Sequence, residues 1–216
     1  MYCVATGCAT QPAFTKVNVS VVYAACIAHT NTISGFVATS VNTTYVRCLA
    51  YGNSGAASDG FAVDNNAVHL NCVAYANGRD GYRANDDQVL YTNCIAEGNG
   101  TTAGWGWTNT FGAVFLFNCA GFNNQAGNTS LGTVIGVKNI NFVTGSATFF
   151  TNAAGADFSL NTTAGGGAAA RAAGIPGAFP AGATTGFLDI GAAQHADPAG
   201  GGGGGSVFGS HGGVVT

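Results

Sequence analysis

Charged side chains are the scarcest class in this sequence of 216 residues: they make up 7% of it, with six Lys and Arg against nine Asp and Glu. A net charge of −3 leaves no basic stripe for phosphates, so neither nucleic acid nor an anionic membrane surface is an expected partner. No apolar run reaches the length of about eighteen residues that a membrane span needs. The opening stretch, MYCVATGCATQP, has neither a basic region nor an apolar run, so no signal peptide is visible in this chain.

Good helix formers are also few, and this scarcity bears on the fold class. Leu, Lys and Glu are sparse, whereas the chain holds 35 glycines beside many Asn, Thr and Ala residues. Because 47% of the residues are apolar, the chain nevertheless has enough hydrophobic surface for a real core. These proportions predict an almost purely β protein that forms a single elongated domain.

Six of the seven cysteines recur at a nearly constant interval. Cys3, Cys26, Cys48, Cys72, Cys94 and Cys119 are separated by 23, 22, 24, 22 and 25 residues. A small residue stands two positions after each of them. From the second cysteine onward, an Asn stands five positions after it and an aromatic residue roughly half a repeat before it. The Asn column is Asn31, Asn53, Asn77, Asn99 and Asn124, and the aromatic column is Phe14, Phe36, Phe61, Tyr82 and Trp107.

Columns that stay in register over successive repeats predict a solenoid in which each repeat makes one coil. Each strand then pairs with its counterpart in the next coil, about 4.8 Å away. We expect the Cys and Ala columns to fill a narrow interior, the aromatic column to fill a wider corner, and each Asn to bond backbone groups at a recurring turn. An α/β fold would need helices between the strands, and the sequence has no helical periodicity to supply them.

Two stretches carry more specific signals: the turn NGRDGY at residues 77–82, and FFTNAAGADFSLNTTAGGGAAARAAG (149–174) followed by TGFLDIGAAQ (185–194). The first resembles the coil turn, and the second the closing segment, of right-handed parallel β-helix proteins of the pectate-lyase-like type from bacteria and phages. Gly165, Gly166 and Gly167 stand where a serine-proline turn is more usual. The resemblance implies a right-handed parallel β-helix of about six to seven coils over residues 1–145, a closing segment over 146–194 and a glycine-rich tail over 195–216.

The cysteine column has two interpretations besides a simple apolar filling. No C-x-x-C occurs, so the spacing is not that of a common metal site. Adjacent coils would bring the Cα atoms within disulfide range, but side chains that point the same way give poor disulfide torsions. The sequence therefore favours buried free thiols over disulfides.

Acidic residues cluster near the recurring turn of neighbouring coils. Two precede the turn glycine and three follow it: Asp59 and Asp80, then Asp64, Asp86 and Asp87. Asp59 and Asp80 are candidate calcium ligands, because stacked carboxylates repel unless a cation compensates, and the resemblance to calcium-dependent polysaccharide lyases implies such an ion. The other three are candidate acid and base groups of a glycoside hydrolase or lyase. The alternative is a turn with Arg79 and Arg83 as counter-charges, because the sequence points to no separate catalytic base.

Two further columns contain aromatic residues, three positions before and three after the cysteines. They are Tyr23, Tyr45, His69, Tyr91 and Leu116, and then His29, Tyr51, Tyr75, Glu97 and Phe122. Counted from an inward cysteine, strict alternation along a strand points both columns outward. Outward rings have three possible roles, which are stacking on sugars, packing against another subunit, or ordinary surface positions. The candidates for the first two roles are Tyr45, Tyr51, His69, Tyr75 and Tyr91.

These patterns favour a non-enzymatic structural β-helix protein of an extracellular or virion assembly, such as a phage appendage or decoration protein or a surface fibre. The alternative is a carbohydrate-binding or polysaccharide-cleaving β-helix of tailspike-like character, because fold alone does not decide function. Expected partners are further copies of the chain, in a homo-oligomer or fibre, other assembly subunits, or a polysaccharide. No cofactor is predicted apart from the candidate calcium ion.

Both ends of the sequence carry an expectation about assembly. The cysteine ladder begins at Cys3, so the first coil is expected to present unpaired strand edges that need a cap, either from another chain or from upstream sequence. The first alternative predicts that residues 1–15 contact another chain. The tail contains Val207, Phe208, Val214 and Val215 beyond six consecutive glycines. The sequence therefore predicts that the tail becomes ordered by docking on another subunit.

Overall fold

A computed structural model describes residues 3–16, 20–39, 42–63, 66–85, 88–101, 103–131, 139–140, 142–171, 173–174 and 189–194. The coil strands, in chain order, are β1 (Cys3–Thr6), β2 (Phe14–Lys16), β3 (Val21–Ala24), β4 (Cys26–His29), β5 (Phe36–Ala38), β6 (Thr43–Val46), β7 (Leu49–Tyr51), β8 (Phe61–Val63), β9 (Ala67–Leu70), β10 (Val73–Tyr75), β11 (Tyr82–Ala84), β12 (Val89–Thr92), β13 (Ile95–Glu97), β14 (Trp105–Asn109), β15 (Val114–Phe117), β16 (Ala120–Phe122), β17 (Gly127–Leu131), β18 (Asn139–Ile140) and β19 (Val143–Thr144). Every pairing among them is parallel, as a solenoid requires.

These strands form three parallel sheets, and each complete coil contributes one strand to each. Sheet A has the order β1-β4-β7-β10-β13-β16-β19, sheet B the order β17-β14-β11-β8-β5-β2, and sheet C the order β18-β15-β12-β9-β6-β3. Equivalent residues pair across the coils; Cys3 lies opposite Cys26, and Tyr82 lies between Phe61 and Trp107. The predicted fold class, an all-β parallel β-helix, is confirmed.

From Cys3 to Cys119 the stack makes about five full turns, slightly fewer than the six to seven coils predicted, and a further incomplete coil follows. Its last coil is reduced, because β18 and β19 hold two residues each and pair with only part of β15 and β16. The cysteine column ends at Cys119, so the stacking of cysteine on cysteine that links the earlier coils stops before this coil.

The interior is filled by the columns that the sequence indicates. Five cysteines from Cys26 to Cys119 are buried, and the alanines two positions after the first four of them are fully buried as well. On sheet B, the rings of Phe36 and Phe61 stack with centroids 4.8 Å apart, and Tyr82 continues the row to Trp107 at 5.3 Å. A glycine precedes several of these rings because a Cβ at Gly81 would lie 2.8 Å from the Asn99 side chain of the next coil.

The closing segment comprises β20 (Phe150–Asn152), a short 3₁₀ turn at Ala153–Gly155, β21 (Asp157–Leu160) and the single-turn α1 (Gly167–Ala170). β20 and β21 pair antiparallel. This segment packs on the outer face of sheet A and forms a second apolar cluster there, in which Phe149, Phe150, Phe158 and Ile190 meet the outward side chains of Leu49, Val73, Ile95 and Ala120. Sheet A is thus covered on both faces along these coils.

Candidate functional site

The column of rings three positions before the cysteines lies inside the solenoid, so the predicted outward orientation is wrong for it. Tyr45, His69 and Tyr91 are at most 1% exposed. His69 stacks between the other two, with ring centroids 4.6 Å from Tyr45 and 4.7 Å from Tyr91. Buried in this way, none of the three reaches a sugar or a neighbouring subunit.

One residue in each coil reverses the alternation between these rings and the cysteines. Asn71, between β9 and Cys72, has a φ of 52°, in the left-handed region. The equivalent residues of other coils share this conformation, and they are Ala25, Arg47, Asn93 and Asn118. This residue turns the chain at the corner between sheets C and A, so His69 before it and Cys72 after it both point inward. Strict alternation counted from the cysteine across this corner therefore assigns the ring column to the wrong face of the strand.

Several polar atoms of this interior have no partner among the described residues. They are the hydroxyls of Tyr45 and Tyr91, both ring nitrogens of His69, and Nε1 of Trp107. Burial lowers the pKa of His69 to about 3, because the interior disfavours the imidazolium. Burial likewise raises the pKa of Tyr45 and of Tyr91. All three side chains are therefore neutral at physiological pH.

The second ring column, three positions after the cysteines, does point outward, and the closing segment packs against much of it. The ring of Tyr51 lies 4.9 Å from that of Phe158, and Tyr75 lies 5.8 Å from Phe150, measured between centroids. Both tyrosines remain half-buried. Toward the first coil, His29 stacks on Tyr51 with centroids 4.9 Å apart and ring planes 6° from parallel.

Glu97 occupies the same outward column and fastens the closing segment. Its Oε1 accepts a hydrogen bond from the Thr148 hydroxyl at 2.5 Å, and its Oε2 accepts one from the Phe149 backbone N–H at 2.9 Å. Burial raises the pKa of Glu97, and these two hydrogen bonds oppose the rise. Both carboxylate oxygens of Glu97 thus bind the closing segment.

Asp59 and Asp80, the candidate calcium ligands, lie on successive coils at the turn into sheet B. Both oxygens of the fully buried Asp59 accept from the Arg79 guanidinium, from Nε at 2.7 Å and Nη2 at 2.5 Å, and Arg83 Nη1 lies 3.8 Å away. Asp80 Oδ1 accepts from the Trp105 N–H at 2.8 Å, while its Oδ2 accepts from a threonine hydroxyl at 2.7 Å. Burial raises the pKa of Asp59, and the Arg79 hydrogen bond and charge counteract this rise. Protein donors thus engage all four carboxylate oxygens.

The three acids proposed as catalytic groups, Asp64, Asp86 and Asp87, lie outside the described residues. Within the described ranges, no three His, Cys, Asp or Glu side chains converge at distances suited to a metal ion. The seven cysteines are free thiols, and Cys3 and Cys8 among them are only half-buried.

An Asn ladder runs along the turn between sheets A and B. Each Nδ2 donates to Oδ1 of the Asn in the next coil, with distances of 2.7 to 2.9 Å from Asn31 to Asn124. The same amides bind backbone carbonyls of the preceding coil, as Asn77 does with Ala50 O at 3.0 Å. These bonds supply partners for the amide groups of the buried ladder.

The end of this ladder does not follow the spacing of the Asn column. Asn124 Nδ2 donates to Asn128 Oδ1 at 3.0 Å, and Asn128 Nδ2 donates to Gly121 O at 3.1 Å. Asn128 follows Asn124 by four residues rather than by a full repeat, so the column pattern does not reveal it. One feature of the sequence pointed to this contact: Gly121 stands two positions after its cysteine, where the other repeats have alanine.

The corner residues between sheets C and A hold a second part of the closing segment. Asn71 Nδ2 donates to the carbonyls of Asp189 at 3.2 Å and Gly191 at 3.1 Å. Arg47 Nε donates to the carbonyl of Ala192 at 3.3 Å. The polar side chains of the corner residues thus hold residues 189–192 along the corner between sheets C and A.

Two more observations bear on function. In the described part of the chain no helix has the length and apolar character to cross a membrane. A comparison of the chain with known protein families gives no match, and neither curated proteins nor solved structures give one. The arrangement of the side chains therefore has to carry the functional inference.

Proposed function

We propose that this chain is a non-enzymatic structural β-helix protein of an extracellular or virion assembly, such as a phage appendage or decoration protein or a surface fibre. The observation that carries the proposal is the state of the first coil. Its strands β1, β2 and β3 each stand at one end of their sheet in the described residues. Such edges favour pairing with another chain.

The side chains of the first coil fit an assembly contact. Cys3 and Phe14 are half-buried, whereas their partners in the next coil, Cys26 and Phe36, are buried. Val4, on the outer face of β1, is 55% exposed. Among the described residues, the apolar cross-section of the solenoid is therefore uncovered at this coil, and a subunit seated here would extend the same columns.

The carboxylates support a structural role as well. Asp59, Asp80 and Glu97 accept hydrogen bonds that hold turns or the closing segment in place. Asp157 accepts from the Ser159 N–H and hydroxyl within the hairpin of the closing segment. The extracellular or virion setting is supported by the resemblance of the coil turn and closing segment and by the very low charge.

A size measurement over a range of concentrations tests the assembly. Light scattering on the full chain should find a homo-oligomer or fibre that dissociates on dilution. Val4→Lys should weaken this association by roughly tenfold or more, because it places a charge in an apolar contact. Phe111→Lys, at a side chain 68% exposed in the loop between β14 and β15, is the matched control and should leave association unchanged. A monomer at every concentration contradicts the proposal.

The second candidate function is carbohydrate binding or polysaccharide cleavage, of tailspike-like character. It is favoured by the flat stack of His29 on Tyr51, because such half-buried rings suit the C–H faces of sugars. The test is incubation with acidic and neutral polysaccharides, with and without calcium. New reducing ends or unsaturated products that disappear in Asp64→Ala, Asp86→Ala or Asp87→Ala would replace the structural proposal with cleavage. Binding without turnover, lost in Tyr51→Ala alone, would support a binding module.

A further inference from the structure

The outer face of sheet C is apolar and uncharged. It is formed by the second and fourth residues of β3, β6, β9, β12 and β15, which alternate with the inward residues along each strand. Eight of these ten side chains are apolar and the other two are threonines. The largest are Val22, Val68, Leu70, Leu90, Phe115 and Phe117. We call this surface the sheet C outer face.

Comparison with the other two sheets shows that this face is unusual. The apolar outer face of sheet A packs under Phe150, Phe158 and Ile190 of the closing segment. The outer face of sheet B carries polar side chains such as Arg83 and Thr108. The side chains of the sheet C outer face belong to neither apolar cluster of the described residues, and Val22 is 68% exposed. A contiguous apolar patch of this kind marks an interaction surface.

The described closing segment ends beside this face. Residues 189–192 follow the corner between sheets C and A, where Asn71 and Arg47 hold the carbonyls of Asp189, Gly191 and Ala192. Arg47 lies one coil closer to the first coil than Asn71 does. The segment therefore runs toward the first coil. The last described residue of the segment, Gln194, bonds back to the carbonyls at 189 and 191, which keeps it at the same corner. Gln194, after which residues 195–216 follow in the chain, therefore lies at the border of the sheet C outer face.

We propose that the sheet C outer face is the docking site of residues 195–216 of the same chain, which lie outside the described residues. Their sequence has Val207, Phe208, Val214 and Val215 as apolar groups, and Asp197 is its only Asp, Glu, Lys or Arg. The eleven residues from 195 to 205 reach up to about 35 Å when extended, enough to cross the face. A segment with a single acidic side chain, tethered at the border, meets an uncharged surface at high effective concentration.

The size of the face also selects a short segment over a second copy. Five strands about 4.8 Å apart and about four residues of 3.3 Å each span roughly 300 Å². A stable dimer needs roughly 800 Å² on each partner. One extended segment covers the smaller area, as the closing segment does on sheet A.

The test is cleavage by chymotrypsin after Phe208 in the folded full chain, followed by mass spectrometry of the released residues 209–216. Cleavage should be at least about tenfold slower than in a synthetic peptide of residues 195–216, because the docked form resists the protease. Leu90→Lys should bring the rate close to that of the peptide. Val37→Lys, on the outer face of sheet B, is the matched control and should leave it slow. If Leu90→Lys does not fold, Leu90→Thr serves instead, because Thr44 already occupies the equivalent position.

A second measurement varies the tail and leaves the solenoid intact. Phe208→Ser should increase the binding of an apolar fluorescent dye by about twofold or more, because the face becomes accessible. Three outcomes would overturn the proposal. The first is cleavage of the full chain at the peptide rate, or protection that survives Leu90→Lys. The second is protection that grows with protein concentration, which identifies a second copy as the occupant. The third is dye binding unaffected by Phe208→Ser, which means that another segment, such as residues 175–188, covers the face.

Discussion

The side chain of Asn124 donates a hydrogen bond to Asn128 at 3.0 Å, and this contact closes a ladder that crosses the coils from Asn31 onward. Asn128 fits there because Gly121 has no side chain. A Cβ at Gly121 would lie 2.7 Å from Asn128 Cγ, closer than van der Waals contact allows. The glycine in the alanine column and the final ladder residue are therefore parts of one arrangement.

Gly121→Ala should lower the free energy of unfolding by about 1 to 3 kcal/mol, because the new methyl group displaces Asn128. Denaturant unfolding monitored by circular dichroism measures the change. Asn128→Ala alone should cost about 1 kcal/mol through the lost hydrogen bonds. The double variant should cost less than the sum of the two single changes, since it removes the clash. Strict additivity would show that the two positions do not interact.

Stability should fall as the pH is lowered from about 6.5, and His69 should account for much of the loss. The folded-state pKa of His69 is about 3, below the ordinary value of 6.5, so the unfolded chain takes up the proton first. The contribution of neutral His69 to the free energy of unfolding is complete above pH 6.5. It falls by about 1.4 kcal/mol for each pH unit between pH 6.5 and about pH 3. His69→Tyr, which continues the row of Tyr45 and Tyr91, should flatten the curve between pH 6.5 and 5. His29→Tyr is the control and should flatten the curve less, because burial also lowers the pKa of His29 but this side chain is only half-buried. An equal slope in wild type and His69→Tyr would refute the assignment.

Removal of Arg79 should destabilise the protein more than its half-exposed position suggests. Arg79→Ala leaves the fully buried Asp59 carboxylate without its bidentate partner, at a cost of about 3 kcal/mol. Adding Asp59→Asn to this variant should restore part of the loss, because the amide carries no charge and still accepts from the Asp80 N–H. Thermal unfolding of the four proteins completes the cycle. The explanation fails if Asp59→Asn adds a further loss in the Arg79→Ala background.

Thiol labelling of the native protein should proceed in two stages. In the dissociated chain, Cys3 and Cys8 are half-buried and should react first, whereas the five cysteines from Cys26 to Cys119 are buried and should react only on unfolding. Mass spectrometry after brief exposure to a maleimide counts the modified residues. Labelling after unfolding in denaturant without a reductant should reach all seven, because the thiols are free. Rapid modification of most of them in the native state would contradict the buried column.

The repeating part of this fold could be read from the sequence because equivalent residues contact each other in successive coils. A column such as Asn31 to Asn124 is then visible as a spacing. The orientation of Tyr45, His69 and Tyr91 could not be read in the same way, because it depends on the left-handed corner residue before each cysteine. Asn at three of these corners was a clue, since Asn tolerates that conformation, but Ala25 and Arg47 adopt it as well.

Contacts outside the repeat were not accessible from spacing. Glu97 meets Thr148, and Asn71 meets residues 189 and 191, over long separations that only the folded chain defines. The pairing of Asp59 with Arg79 was within reach, because both lie at equivalent turns of successive coils, and the sequence already suggested Arg79 as a counter-charge. Local chemistry and repetition were thus predictable, while the face that the closing segment covers was set by tertiary packing.

The Asn ladder also gives the solenoid a direction. Every amide has its oxygen toward the coil before it and its NH₂ group toward the coil after it, so the side-chain dipoles add along the axis instead of cancelling. The row begins where Cys8 N–H meets Asn31 Oδ1 and ends at Asn128. Its negative pole therefore lies toward the first coil and its positive pole toward the last. Two solenoids placed end to end are therefore stabilised electrostatically when they run in the same direction and destabilised when like ends meet.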